Sequence, residues 1–269
     1  MKFLCRATDH ELSRRVLEAF AEGTPGALFC HTTCLLWPDE IPVYYGILRG
    51  CGDEMKDHLK NGRPFVYIDH GYFGDKDNVN LTGHYRIIVN GLHHKIPRFP
   101  EPSTKVDLPE IAPWRPTSMK QPLILVPPSE AVADFYGIDR WVWVDRERCE
   151  FVNTVVSTKA DNNLDELLKD CRGLHTHSST AAVKALMLGI SARCTAERAP
   201  APPHRTYGRH DLLGWLAERQ FTLGEIRDGR HLEHLRREVE GEGKRPSGEP
   251  SPGGGYRHEP EVPRATPVA

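Results

Sequence analysis

The sequence predicts an α/β protein built from two units, each around a mostly parallel sheet. Strand-like runs alternate with helical ones from Lys2 to Val89, the pattern that lays helices over a parallel sheet. A proline-rich, irregular passage from Ile96 to Pro122, holding Pro97, Pro100, Pro102, Pro109, Pro113 and Pro116, then breaks the periodicity and reads as a linker. Beyond it the alternation restarts at Leu123 and runs to Gly189. With 269 residues, 39% of them hydrophobic, the chain can form one large domain or two small ones.

Lys2–Cys5 is a short first strand. Asp9–Glu22 is an amphipathic helix with Leu12, Val16, Leu17 and Phe20 on one face. Ala27–Cys30 and Val43–Leu48 are further strands, and Asp53–Lys60 is a helix stopped by Asn61-Gly62. Phe65–Ile68 and Tyr85–Val89 are apolar enough for buried strands. In the second half, Leu123–Val126 is a strand, Pro127-Pro128-Ser129 a turn and Glu130–Tyr136 a helix. The aromatic and β-branched run Trp141–Val144 and the segment Phe151–Ser157 read as strands, Leu164–Asp170 as a helix and Leu174–Thr176 as a short strand. Asp211–Arg219 and Leu223–Glu240 make a helical C-terminal segment. Residues 241–269, rich in Gly, Pro, Glu, Arg and Ser with almost no large aliphatic side chains, predict a disordered tail. The expected division is 1–115, 116–240 and that tail.

Composition narrows the function classes. Thirty-five basic against 37 acidic residues argue against a dominant electrostatic grip on nucleic acid, though a local basic groove is compatible with that balance. No run approaches the roughly 20 apolar residues of a membrane span, and Met1–Arg15 turns charged too early for a secretory signal; a cytoplasmic protein without integral membrane association is expected. The seven cysteines are scattered and read as reduced thiols. Cys30-His31-Thr32-Thr33-Cys34 offers three soft ligands but lacks a second pair.

The most informative segment is Leu174–Ile190, where a hydroxyl-rich turn opens into an alanine-rich helix over Thr180–Leu188 stopped by Gly189. Ser178, Ser179 and Thr180 fall at its N-terminus, where unpaired N–H groups and the positive dipole end favour an anion such as a phosphate. The same hydroxyls also suit plain helix capping. Ala181, Ala182, Ala185 and Gly189 recur at helical spacing and permit a close approach, while Lys184 reaches the solvent edge.

The second constellation is Tyr67–Gly74, a buried strand running into a glycine-flanked turn that carries Asp69 and His70. Ligands of open α/β sheets bind outside the carboxyl ends of the strands. There His70 can take a proton from an acceptor hydroxyl near neutral pH, with Asp69 as its support or substitute; a capped turn packed by Tyr72 and Phe73 is the plainer account. Arg49, in the glycine-rich turn Gly46–Gly52, and Lys159, after the strand ending at Ser157, are cations that could meet a phosphate or lie solvated in loops. His84, His93, His94, His175 and His177 raise a metal-hydrolase alternative, but no ordered ligand set such as His-x-x-x-His links them, and no metal is expected at the site.

His70-Gly71 after a strand, and Thr176-His177-Ser178-Ser179 before a small-residue helix and Gly189, resemble bacterial and phage glycosyltransferase-like proteins of the GT-B type, distantly similar to capsule and teichoic-acid polymer transferases. Tyr44–Gly52, Tyr85–Leu92, Pro113-Trp114-Arg115, Leu123–Gly137 and Gln220–Arg227 extend the likeness. The resemblance implies a compact pair of Rossmann-like domains, the first presenting an acceptor and the second holding a nucleotide-activated sugar. It implies His70 as base with Asp69 beside it, and His177, Ser178, Ser179 and Thr180 on the donor diphosphate. Lys159 would stabilise the leaving group, Arg86 and Glu130 would be lesser cleft contacts, and no cofactor would be required. The acceptor would be a surface glycan or a modified DNA base. A non-catalytic binding or accessory protein keeping the fold is the alternative.

Overall fold

The computed structural model describes residues 2–32, 36–37, 39–72, 83–97, 100, 110–201 and 208–242. In chain order the first half contributes β1 (Lys2–Ala7), α1 (Glu11–Gly23), β2 (Leu28–His31), β3 (Glu40–Tyr45), a single 3-10 turn (Ile47–Arg49), α2 (Gly52–Lys60), β4 (Val66–His70) and β5 (His84–Val89). The second half contributes β6 (Leu123–Val126), α3 (Glu130–Tyr136), α4 (Arg140–Glu150), β7 (Thr154–Val156), α5 (Leu164–Leu167), β8 (Gly173–Thr176), α6 (Ala181–Met187) and β9 (Ala192–Cys194). The chain continues with α7 (Arg209–Ala217), β10 (Gln220–Thr222), α8 (Leu223–Arg227) and α9 (Leu232–Glu242).

These strands form two sheets in a compact α/β protein. The six-stranded sheet runs β10-β5-β4-β3-β1-β2 and the four-stranded sheet β7-β6-β8-β9. Pairings among β1 to β4 are parallel, β5 is antiparallel to β4, and β10 is antiparallel to β5. The smaller sheet is parallel throughout.

Strand alternation divides the core of the larger sheet into two. Val43, Tyr45, Val66, Ile68, Tyr85 and Ile87 point to the side covered by α1, whose Leu12, Val16, Leu17 and Phe20 are buried there as the periodicity requires. Phe221, Ile226 and Leu235 complete that layer from the C-terminal segment. Tyr44, Phe65, Tyr67 and Ile88 point the other way, against Met55 of α2 and Phe135 of α3. Since α3 follows β6, this second layer joins the two sheets, and the Lys56–Asp134 ion pair at 2.8 Å lies between α2 and α3.

The proline-rich passage, where described, is strapped to the second half. Ala112 N–H donates to Met187 O and Arg115 N–H to Gly189 O, both at 2.9 Å. Gly189 permits this with φ +74°, and a Cβ there would stand 1.9 Å from the Pro113 carbonyl oxygen.

Two expectations need correction. Trp141–Val144 is helical: the Asp139 carboxylate caps α4 by accepting from the N–H groups of Trp141 and Val142 at 2.8 and 3.1 Å. Trp143, Val144 and Glu147 are buried at helical spacing while Trp141 and Val142 face solvent. Leu223–Glu240 is not one helix. Thr222 and Glu225 form a reciprocal capping box that starts α8, and Gly229, at φ +74°, turns the chain into α9. Just before it, β10 pairs with β5, Phe221 opposite Tyr85. From residue 243 the expected tail lies outside the described residues, as do Thr33, Cys34, Phe73 and Gly74. Among the described residues no helix is long and apolar enough to cross a membrane.

Candidate functional site between the two sheets

Asp69 and His70 end β4, and strand alternation sends them to opposite faces of the sheet. Asp69 shares the face of Tyr67 and Arg86, toward the second sheet. Its carboxylate accepts from the Tyr67 hydroxyl at 2.9 Å, Arg86 Nη2 at 2.7 Å and the His70 backbone N–H at 2.9 Å. With three donors on it, Asp69 is suited to holding Arg86 in position rather than to collecting a proton. The Arg86 guanidinium also donates to the His70 carbonyl at 2.5 Å and lies 5.4 Å from the Tyr72 ring centroid. Burial, followed by the Asp69 charge, keeps the Tyr67 hydroxyl well above its ordinary pKa.

His70 lies on the α1 side. Its Nε2 is 3.3 Å from the Tyr45 hydroxyl, and its ring stands 6.1 Å from those of Tyr45 and Tyr85. Asp69 therefore touches His70 through the backbone and not through the imidazole. A cleft of ≈ 350 Å³ opens at the same, carboxyl edge of the sheet, where β1 and β2 end, lined by Thr8, Asp9, Arg14, Phe29, Cys30 and His31 among others.

In the smaller sheet the Thr176 hydroxyl donates to the Val126 carbonyl at 2.6 Å, tying the end of β8 to that of β6. His177 and Ser178 follow, only 5% and 3% exposed, with His177 Nδ1 3.2 Å from the Ser178 hydroxyl. Ser179 and Thr180 are half-buried. The Ser179 hydroxyl accepts from Ala181 N–H at 3.2 Å and its own N–H donates to Thr176 Oγ1 at 3.4 Å, so part of the expected anion-binding turn is engaged in its own cap. Lys159 is exposed beyond β7, at the same carboxyl edge but separated from β8 by β6. Glu130 is paired with Arg140 at 3.6 Å.

The two predicted segments meet through residues that carry no motif. His93, after β5, is buried near the Ser178 backbone and the His177 ring, both of which act on its pKa. The Tyr136 ring packs edge-on to His177 with centroids 4.9 Å apart. Arg198, which follows β9, donates to the Val89 carbonyl at 3.0 Å, and Tyr136 feels the positive charge of both Arg198 and Arg86. Among the described residues the Tyr136 hydroxyl, His93 Nδ1 and Arg86 Nε are buried without a hydrogen-bond partner, an expensive condition for polar atoms in an interior.

Burial keeps the imidazoles of this cluster uncharged. Burial, then Arg86, pushes the His93 pKa well below its usual value, and burial, then Arg146, pushes that of His177 down to about 4. Both imidazoles are neutral near pH 7, and Arg86, paired with Asp69, is the guanidinium that acts on His93. A guanidinium with an unsatisfied Nε is the group here that an anionic ligand would meet.

Of the other histidines, His175 pairs with Glu147 at 2.8 Å and stacks on Trp143 at 5.7 Å, a buried structural contact. His94 meets His234 and Glu238 elsewhere in the fold. The chain matches no protein-family model, and no curated protein matches it.

Proposed function

We propose that the protein transfers a sugar from a nucleotide-activated donor to a hydroxyl acceptor, a surface glycan or a modified DNA base, through two Rossmann-like domains in a GT-B-like arrangement. The observation that supports this reading most is the meeting of Asp69-Arg86 with His177-Ser178, via His93 and Tyr136, in a buried cluster where the Tyr136 hydroxyl, His93 Nδ1 and Arg86 Nε have no hydrogen-bond partner among the described residues. The larger sheet's parallel core, β2-β1-β3-β4, and the smaller sheet, β7-β6-β8-β9, have the same strand order counted from their own first strands. In open sheets of that order ligands gather at the carboxyl ends, where the order reverses.

The donor diphosphate would draw on Arg86 and Arg198, with His177 and Ser178 against it and Ser179, Thr180 and Lys159 at its rim. His70, whose ring lies on the α1 face at the same carboxyl edge, would accept the proton of an acceptor hydroxyl that reaches over the end of β4, as that oxygen bonds the anomeric carbon. In the same step the carbon–oxygen bond to the diphosphate breaks and the nucleoside diphosphate leaves with the electron pair. Guanidinium groups supply the charge that the leaving group needs, so the reading calls for no cofactor.

A screen of nucleotide-sugars with mass-spectrometric detection tests it: transfer or hydrolysis from at least one donor is expected, abolished in His70→Ala with the circular dichroism spectrum intact. Turnover that survives His70→Ala removes the assigned base. The self-capped Ser179 turn favours the alternative, a non-catalytic accessory protein on the same fold. Under that alternative no donor is consumed and no nucleoside diphosphate shifts the melting temperature.

A further inference from the structure

A second cluster of chemistry-bearing side chains lies beside β5. His94, fully buried just beyond that strand, faces α9, where His234 and Glu238 stand one helical turn apart on one side. One ligand atom from each of the three lies within 4.8 Å of the others. His94 Nε2 and His234 Nε2 are 3.3 Å apart, and each is 3.0 Å from the Ile87 carbonyl oxygen. A tetrahedral ion with metal–nitrogen bonds of about 2.0–2.1 Å holds its ligands about 3.3–3.4 Å apart. The two imidazoles already have that separation.

Capping of a loose strand edge accounts for one of these contacts. β10 pairs with β5 only from His84 to Arg86, and an imidazole N–H on the Ile87 carbonyl replaces the missing ladder bond. It does not account for a second imidazole nitrogen on the same oxygen. The outer shell also suits a ligand: His94 Nδ1 is 2.8 Å from the Tyr72 hydroxyl, the kind of partner that fixes the tautomer and ring plane of a ligating histidine. Arg219 acts on both histidines and Arg237 on His234. Their positive charge disfavours a hard ion held by charge alone, whereas two nitrogens and one carboxylate suit a borderline ion.

We propose that His94, His234 and Glu238 bind one zinc-class divalent ion, with the Ile87 carbonyl or a water as fourth ligand, and that this ion fastens α9 to β5. The site is separate from the sugar-transfer reading and does not depend on it. The full chain, stripped with chelator, is titrated with Co²⁺ alone and, separately, dialysed against Zn²⁺. One ion per chain is expected, with the visible absorption of tetrahedral Co²⁺, its displacement by Zn²⁺ and a higher melting temperature. His234→Ala and the isosteric Glu238→Gln each weaken binding at least about a hundredfold, more than loss of an outer-shell partner does, while exposed His210→Ala leaves it unchanged. No stoichiometric uptake by the wild type overturns the proposal, as does uptake that persists in the properly folded His234→Ala and Glu238→Gln chains.

Discussion

Asp69 and Arg86 face each other in register across antiparallel β4 and β5, with Arg86 Nη2 2.7 Å from Asp69 Oδ2 and the guanidinium almost wholly out of water. The pair carries both stability and the charge of the cluster between the sheets. Removing one partner leaves the other charge unanswered, which for a buried pair costs about 3–5 kcal/mol. Arg86→Ala is expected near the lower end, about 3 kcal/mol, because Asp69 keeps 26% side-chain exposure. Urea denaturation measures it; a loss within experimental error would mean that the cluster is wet and the pair dispensable.

The buried histidines give the protein an acid-sensitive stability. His177 and His231 are both brought down to about 4, mainly by burial, while an unfolded histidine titrates near about 6.5. Between those values the unfolded chain binds more protons than the folded one, so stability falls as pH drops from about 6.5 toward 4, by up to about 3 kcal/mol for each group. Denaturation midpoints taken across that range should decline steadily, and His177→Gln should flatten the slope. A flat midpoint in the wild type would contradict neutral, buried imidazoles.

Gly189→Ala should be among the most damaging small substitutions. The residue has a positive φ, and the new methyl would collide with the Pro113 carbonyl. Backbone strain alone costs about 1–2 kcal/mol, and displacement of the 112–115 strap adds to it. Thermal melting reports the sum, and limited proteolysis should show the strap cut sooner than in the wild type.

Asp139→Ala removes the side-chain cap of α4 and should cost about 1 kcal/mol, with lower helical ellipticity. An Asp139→Asn chain, which keeps an acceptor oxygen, should recover most of the loss. Equal stability of all three chains would show that packing of Trp143 alone sets that helix.

Much of this architecture was legible in the sequence where period and punctuation agreed. The α1 face, β6 and α3 follow from their apolar spacing and from Ser129, which caps α3 by accepting from Val132 N–H. Trp141–Val144 misled because aromatic and β-branched residues favour strands, whereas the deciding feature was the carboxylate just before them. Gln220–Thr222 falls in the short gap between two expected helices, too brief to show a strand pattern, and its partner, β5, is distant in sequence. Asp69, His70 and the Thr176–Thr180 turn stood out as motifs, but their meeting did not. It depends on His93, Tyr136 and Arg198, single residues with no local pattern, while the two-residue period of β4 already separates the side chain of Asp69 from that of His70.

The late return of β10 to β5 has a consequence for synthesis on the ribosome. The N-terminal strands emerge first, yet one side of β5 keeps unpaired backbone groups until Gln220–Thr222 have been made. An exposed strand border is a template for pairing with other chains. The nascent protein is therefore most prone to self-association late in translation, and its first-made sheet is completed by nearly the last segment that reaches it.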